Sequence, residues 1–103
     1  MDLIIRHKDK LLELCEKHKV AKLYLTGSAL TKHFNAKSDL DFIIRFKEIK
    51  LADYFDNYLN FKTSLSKLFK RPVDIIEEQT LKNPVLIKSL DQNKQLIYGS
   101  ENL

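Results

Sequence analysis

The stretch Ser38-Asp39-Leu40-Asp41-Phe42-Ile43-Ile44 combines an apolar run with two acidic residues at alternate positions. Runs of β-branched and aromatic residues are typical of a strand, and we predict one over residues 39–46. Successive side chains of a strand point to opposite faces, so Asp39 and Asp41 should share one face. Two carboxylates on one face of an otherwise apolar strand are the first indication of a functional site.

A second apolar run, Pro72-Val73-Asp74-Ile75-Ile76, carries a third aspartate. If this strand pairs beside the first, Asp74 joins the other two carboxylates, and their mutual repulsion is severe unless cations are present. Carboxylate oxygens are the ligands that Mg²⁺ prefers, so the pattern indicates a divalent metal site, with magnesium as the favoured ion. The structural alternative is a salt-bridge network in which Lys32, Arg45 or Lys70 balances the aspartates.

The rest of the chain shows the patterns of alternating helices and strands. We predict, in chain order, an amphipathic helix over 2–18, a strand over 20–26, a short helix over 29–34, the strand over 39–46, a long helix over 49–70, the strand over 73–77, a helix over 85–90 and a short edge strand over 95–98. Asn83-Pro84 suits the entry to the last helix, because asparagine caps and proline fits the first helical position. This order predicts a mixed α/β (α+β) domain, a small sheet covered by helices.

The predicted long helix carries a broad apolar stripe of eight residues: Leu51, Tyr54, Phe55, Tyr58, Phe61, Leu65, Leu68 and Phe69. Such a stripe usually packs into the core, and part of it is open to a second interpretation as a surface for a partner protein or a second copy of the chain. Cys15 is predicted to be a small core residue rather than a nucleophile. His7 and His18 lie among charged residues and are predicted at the surface.

Composition sets limits on what the chain can be. Its 103 residues, 44% of them hydrophobic, fit one domain over 1–103 with a real core. The net charge of +4 favours a lysine-rich solvated surface over a nucleic-acid partner, because no long basic block is present. The start of the sequence shows no signal peptide, and no apolar stretch reaches the ~18–20 residues that a membrane span needs. We therefore expect a cytoplasmic protein without a membrane partner.

Gly27-Ser28 stands where the strand over 20–26 gives way to the predicted short helix. Glycine lets the backbone approach a ligand closely, and a helix start offers unpaired N–H groups, so the pair suits a phosphate. An ordinary capped turn explains the same two residues on their own. The acidic pair Asp39 and Asp41 about a dozen positions later, in a strand–helix–strand context, makes the phosphate-binding interpretation the stronger one.

With these motifs the chain resembles the minimal nucleotidyltransferases of the DNA polymerase β superfamily. The resemblance covers nearly the whole chain, through Leu25-Thr26-Gly27-Ser28, Ser38-Asp39-Leu40-Asp41-Phe42, Val73-Asp74-Ile75-Ile76, Leu81-Lys82-Asn83-Pro84 and Ile97-Tyr98-Gly99. The combination of Gly-Ser with Asp-x-Asp is the most specific mark of that superfamily. The resemblance implies a single palm-like nucleotidyltransferase domain that uses two Mg²⁺ ions and ATP.

The resemblance also implies a role for each motif residue. Asp39 and Asp41 would hold both metals, and Asp74 would hold the catalytic metal and help to deprotonate the attacking hydroxyl. The nucleotide-binding residues would be four: Gly27, Ser28, Lys32 and Ser38. Many relatives carry an arginine and a glycine shortly after Gly-Ser, whereas this chain reads Ala29-Leu30-Thr31-Lys32, so Lys32 would supply the positive charge with less geometric control.

Three functions follow as hypotheses. Minimal nucleotidyltransferases often act as antitoxins that transfer AMP from ATP to a tyrosine of a small helical HEPN ribonuclease, so the resemblance implies an adenylyltransferase with a HEPN toxin as partner. The altered stretch after Gly27-Ser28 favours a second hypothesis, a non-catalytic nucleotide-binding module that neutralises its partner by covering it. The third is transfer to RNA or a small molecule, against which the modest charge and the short chain argue.

Overall fold

A computed structural model describes residues 2–26, 38–80, 82–85, 87–88 and 94–99 of the chain. Its elements are, in order, α1 (Asp2–Arg6), α2 (Lys8–Lys17), β1 (Val20–Thr26), β2 (Leu40–Phe46), α3 (Leu51–Phe69), β3 (Val73–Glu77), a 3₁₀ turn (Glu78–Thr80) and β4 (Gln95–Tyr98). The predicted mixed α/β fold is confirmed. The predicted short helix over 29–34 lies outside the described residues.

The four strands form one mixed sheet in the order β3-β2-β1-β4. β1 pairs antiparallel with both β2 and β4, whereas β2 and β3 run parallel. Parallel neighbours need a long crossover connection, and α3 with its flanking turns supplies it. This crossover brings the second acidic strand beside the first.

One face of the sheet packs against the helices to form the core. Alternate residues of the strands point into it, among them Leu23 and Leu25 of β1 and Phe42 and Ile44 of β2, all fully buried. The helices contribute seven buried residues to the same cluster: Ile4, Leu11, Leu14, Cys15, Phe61, Leu65 and Phe69. The other face of the sheet carries polar side chains, among them Thr26, Asp41 and Asp74, beside the buried Ile43 and Tyr24.

Helix α3 divides its apolar stripe between the core and the surface. Phe61, Leu65 and Phe69 recur every four residues and are buried, whereas Leu51 and Phe55 near the start of the helix are exposed. The helix ends at Lys70, which adopts a left-handed conformation with φ 55° and ψ 43°. That single residue reverses the chain sharply enough for β3 to begin at Val73.

The predicted helix over 2–18 is two helices, since the chain breaks at His7 between α1 and α2. The prediction that His18 lies at the surface is wrong, because its side chain is 6% exposed. Its ring Nδ1–H donates to the carbonyl of Leu14 at 2.8 Å, and the ring packs 5.3 Å from that of Phe61. A histidine that closes the end of its own helix satisfies its polar atom locally and can therefore be buried.

The last predicted helix is confirmed where the structure describes it. Residues 84–85 and 87–88 are helical. Asn83 caps this helix as expected, because its Oδ1 accepts a hydrogen bond from the N–H of Val85 at 2.9 Å. Within the described ranges, no helix combines the length and the apolar character that a membrane crossing requires.

Cys15 should be chemically inert in the native protein. Burial raises the pKa of its thiol to about 12, so almost none of it is thiolate at pH 8. We expect iodoacetamide to label the folded protein very slowly and to label it rapidly after unfolding in guanidinium chloride, with mass spectrometry as the measurement. Rapid labelling of the folded protein would contradict the assignment of Cys15 to the core.

Candidate active site

A row of three side-chain positions crosses the sheet on the face opposite the core. Thr26, the last residue of β1, pairs with Asp41 of β2, and Asp41 pairs with Asp74 of β3. Residues paired across neighbouring strands share a face, so the two carboxylates lie side by side. The predicted pairing of the two acidic strands is confirmed. Asp39 comes directly before β2, two residues from Asp41.

The three carboxylates act on one another electrostatically. The pKa of Asp41 is raised, first by its partial burial and then by the negative charges of Asp74 and Asp39. Asp39 and Asp74 are exposed, whereas Asp41 is half-buried between its neighbours. Negative charge is therefore concentrated at one end of the sheet, as a cation site requires.

The three carboxylates do not form a complete set of metal ligands in this structure. Among the described residues, no three acidic, histidine or cysteine side chains form a group that could hold a metal ion as they stand. The Oδ1 of Asp74 lies 3.9 Å from the Nζ of Lys62, and both side chains are substantially exposed. Adjacent strands stand only about 4.8 Å apart, so Asp41 and Asp74, at paired positions, are side by side. The donor chemistry, hard oxygens on neighbouring strands, fits magnesium.

The alternative to a metal site was a salt-bridge network that balances the aspartates, and Arg45 was one of its predicted members. Arg45 does not pair with an aspartate, because its Nε donates to the Oε1 of Glu78 at 3.0 Å. Lys94 also reaches Glu78, at 3.7 Å, and its Nζ stands 4.1 Å from the ring centre of Tyr24. Next to the aspartate row, the sheet face opposite the core thus carries the ion pairs of Glu78 and the buried ring of Tyr24. Sequence reasoning missed Thr26 and Tyr24 here, although strand alternation from Asp41 and its partners could have indicated them.

The start of β2 is fixed to the turn that precedes β3. The Nη1 of Arg71 donates to the carbonyl of Ser38 at 3.1 Å, and the N–H of Leu40 donates to the carbonyl of Pro72, also at 3.1 Å. Asp39 lies between these two anchored positions. The turn therefore determines where Asp39 and the half-buried Ser38 stand relative to β3.

The other predicted nucleotide-binding residues, Gly27, Ser28 and Lys32, lie outside the described residues. In the sequence, Gly27 follows Thr26, the last residue of β1, which pairs with Asp41. The family model for the polymerase β nucleotidyltransferase domain matches residues 9–102, which include the whole aspartate row. This chain belongs to the polymerase β nucleotidyltransferase family.

The relatives of this nucleotidyltransferase share its length as well as its fold. It is 33% identical over 97 residues to "Putative protein adenylyltransferase MJ0128" of Methanocaldococcus jannaschii, a match that covers 94% of this chain and 91% of that protein. Among solved structures, one described as a "putative minimal nucleotidyltransferase" is 26% identical, with a TM-score of 0.74 over 92% of this chain and 95% of the other. By family the chain is therefore a nucleotidyltransferase, and it shares the fold of that minimal nucleotidyltransferase structure.

A more distant structure shares the fold of this nucleotidyltransferase within a complex. It is described as a tri-AMPylated Shewanella oneidensis HEPN toxin in complex with MNT antitoxin. The likeness has a TM-score of 0.63 at 15% identity and covers 93% of this chain and 72% of that one. At this identity the likeness concerns the fold.

Proposed function

We propose that this nucleotidyltransferase transfers AMP from ATP to a hydroxyl group of a partner protein, with Mg²⁺ held by Asp39, Asp41 and Asp74. One observation carries the proposal. Asp41 and Asp74 occupy paired positions on neighbouring strands, on the sheet face opposite the core, and Asp41 also pairs with Thr26 at the end of β1. The relative named for protein adenylyl transfer supports the choice of nucleotide and of acceptor class.

The chemistry assigns a task to each residue. The acceptor oxygen attacks the α-phosphorus of ATP, its bond to that phosphorus forms, the bond to the β-phosphate oxygen breaks, and pyrophosphate leaves. Asp74 would orient the acceptor hydroxyl and receive its proton, and Asp39 and Asp41 would hold magnesium beside the α-phosphate. When bound, magnesium (two ions by family likeness) would lower the pKa of the acceptor and neutralise charge on the leaving group.

We assign the phosphates of ATP to the Thr26 end of the row that Thr26, Asp41 and Asp74 form across the sheet. Gly27 and Ser28 follow β1 directly and would bind the terminal phosphates through backbone N–H groups, with Lys32 as a positive charge and Ser38 beside Asp39. In this arrangement the nucleotide would approach from the β1 side of the sheet and the acceptor from the β3 side.

The partner that fits best is a small HEPN ribonuclease, which the enzyme would inactivate as an antitoxin in the cytoplasm. The support is the fold shared with an MNT antitoxin bound to an AMPylated HEPN toxin. The exposed residues Leu51 and Phe55 of α3 give the enzyme an apolar surface for such a partner or for a second copy of the chain.

The test is transfer of label from ATP labelled at the α-phosphate to a purified HEPN ribonuclease. We expect label on the partner with magnesium, none with EDTA, and none with the double variant Asp39→Asn/Asp41→Asn. Asp56→Asn, an exposed carboxylate on α3, is the matched control and should transfer label normally. Label transfer by the double variant would refute the roles of the aspartates, and neutralisation of the partner without any transfer would identify a module that acts by binding.

A further inference from the structure

A groove with a volume of about 560 Å³ runs along the C-terminal half of α3 and the turn that leads into β3. Its polar lining consists of six residues: Lys62, Thr63, Ser66, Lys67, Lys70 and Arg71. Four of these are cations, and no acidic residue is among the described residues of the lining. For a chain whose total net charge is +4, this is a marked local concentration of positive charge.

Two residues of the groove lining also contact residues of the candidate active site. At one wall, the Nζ of Lys62 lies 3.9 Å from the Oδ1 of Asp74. At the other, Arg71 donates to the carbonyl of Ser38, the residue before Asp39. A chain segment lying in the groove would therefore pass Lys62, which contacts Asp74, and Arg71, which contacts the residue before Asp39.

The lining indicates what kind of segment fits. Lysine ammonium groups attract carboxylates, and the hydroxyls of Thr63 and Ser66 can hydrogen-bond to a polypeptide backbone. Single-stranded nucleic acid, the other polyanion, is usually held by aromatic side chains on which its bases stack, and no aromatic residue lies among the described residues of the lining. The chemistry favours an acidic polypeptide over a nucleic acid.

We propose that this groove binds an acidic segment of the acceptor protein and so holds the acceptor hydroxyl beside Asp74. The inference rests on the proposed protein adenylyl transfer, whose acceptor it describes. Lys67 and Lys70 provide further attraction along the groove. Lys62 exchanges its contact with Asp74 for the acidic segment when metal and acceptor bind.

The probe for binding is a fluorescein-labelled peptide of about twelve glutamates, followed by fluorescence anisotropy at low salt without ATP or magnesium. We expect the charge-reversal variant Lys67→Glu/Lys70→Glu to bind it about tenfold more weakly, since two attractions become two repulsions. The matched control is Lys47→Glu/Lys50→Glu, the same change in net charge at exposed positions near the other end of α3. It should bind the peptide almost as well as the wild type, and added salt should weaken binding of both.

The second measurement is transfer kinetics with the acceptor protein. The groove variant should raise KM for the acceptor about tenfold while kcat and the affinity for a fluorescent ATP analogue stay within twofold, a split that loss of folding would not produce. Equal peptide binding by the groove variant and the control, or an unchanged KM, would overturn the inference. Tighter binding of a twelve-nucleotide oligothymidylate than of the peptide would also overturn it, in favour of nucleic acid. Peptide binding that depends on the groove, in a protein that transfers no label, would refute the proposed function and leave the groove as an acidic-peptide site.

Discussion

The Asp41→Asn variant is expected to lose nucleotidyl transfer by about 10³-fold or more and yet to melt at a higher temperature than the wild type when magnesium is absent. The loss follows from its assigned place as a metal ligand, because a thousandfold corresponds to about 4 kcal/mol of transition-state stabilisation, within the range that metal and charge contacts supply. The gain in stability follows from the electrostatics of the metal-free site.

The sign of the stability effect comes from the pKa of Asp41. That pKa is raised in the folded protein, by burial and by the charges of Asp74 and Asp39, so the ionised carboxylate is less favourable in the folded chain than in the unfolded one. Below the unfolded pKa near 4 this cost is absent. As the pH rises through the raised folded pKa the free energy of unfolding falls, and at neutral pH the full cost is present.

Asparagine removes that cost without changing the size of the side chain. Removal of this unfavourable charge should therefore raise the melting temperature of the metal-free protein. The measurement is thermal unfolding by circular dichroism at pH 7 in EDTA and in 10 mM magnesium. Magnesium should stabilise the wild type by mass action and should have little effect on the variant.

Two controls sharpen the result. Asp56→Asn removes an exposed carboxylate from α3 and should change neither the melting temperature in EDTA nor the response to magnesium. At pH 4 the difference between Asp41→Asn and the wild type should shrink, because a larger share of the wild-type carboxyl is then protonated. If the Asp41→Asn variant melts below the wild type in EDTA, Asp41 stabilises the fold through its contacts. The inferred destabilisation by its ionised carboxylate would then be wrong.

The strands were predictable from the sequence because each is a short apolar run between polar breaks. The predicted bounds of β1, β3 and β4 agree with the structure, and β2 begins only one residue later than predicted, at Leu40. Alternation then fixes which side chains share a face. The sequence did not determine that β2 and β3 pair in parallel, because this pairing depends on the crossover through α3. The proximity of Asp41 and Asp74 could therefore be stated only for the case in which the two strands pair.

Other features depend on contacts between distant parts of the chain, which no local pattern encodes. His18 is buried because its ring bonds back to Leu14 and because α3 brings Phe61 against it. Arg45 meets Glu78 across 33 positions, and Lys62 meets Asp74 across a helix end. The basic groove arises where Lys70 reverses the chain in a left-handed conformation, which is unusual for lysine and is dictated by the tertiary structure.

The Phe61→Ala variant is expected to lose about 3–5 kcal/mol of stability, a large part of the roughly 5–15 kcal/mol that holds a domain together. Phe61 is 0% exposed and packs its ring 6.2 Å from that of Phe46 and 5.3 Å from that of His18, so its removal leaves a cavity between α2, α3 and the sheet. Phe55→Ala is the matched control, since it removes the same side chain from the same helix where the ring is 66% exposed. It should cost no more than about 0.5 kcal/mol.

Unfolding in urea, followed by circular dichroism, measures both variants in one assay. We expect the midpoint of Phe61→Ala to fall sharply with an unchanged slope, which signals lost stability and not a change in the unfolded state. Nucleotidyl transfer should fall with the folded fraction and recover at lower temperature, because Phe61 precedes Lys62 on α3 and supports the helix that carries it to Asp74. Equal midpoints for the two variants would mean that α3 does not pack on the sheet through this face, and the positions of the groove and of Lys62 would then lose their basis.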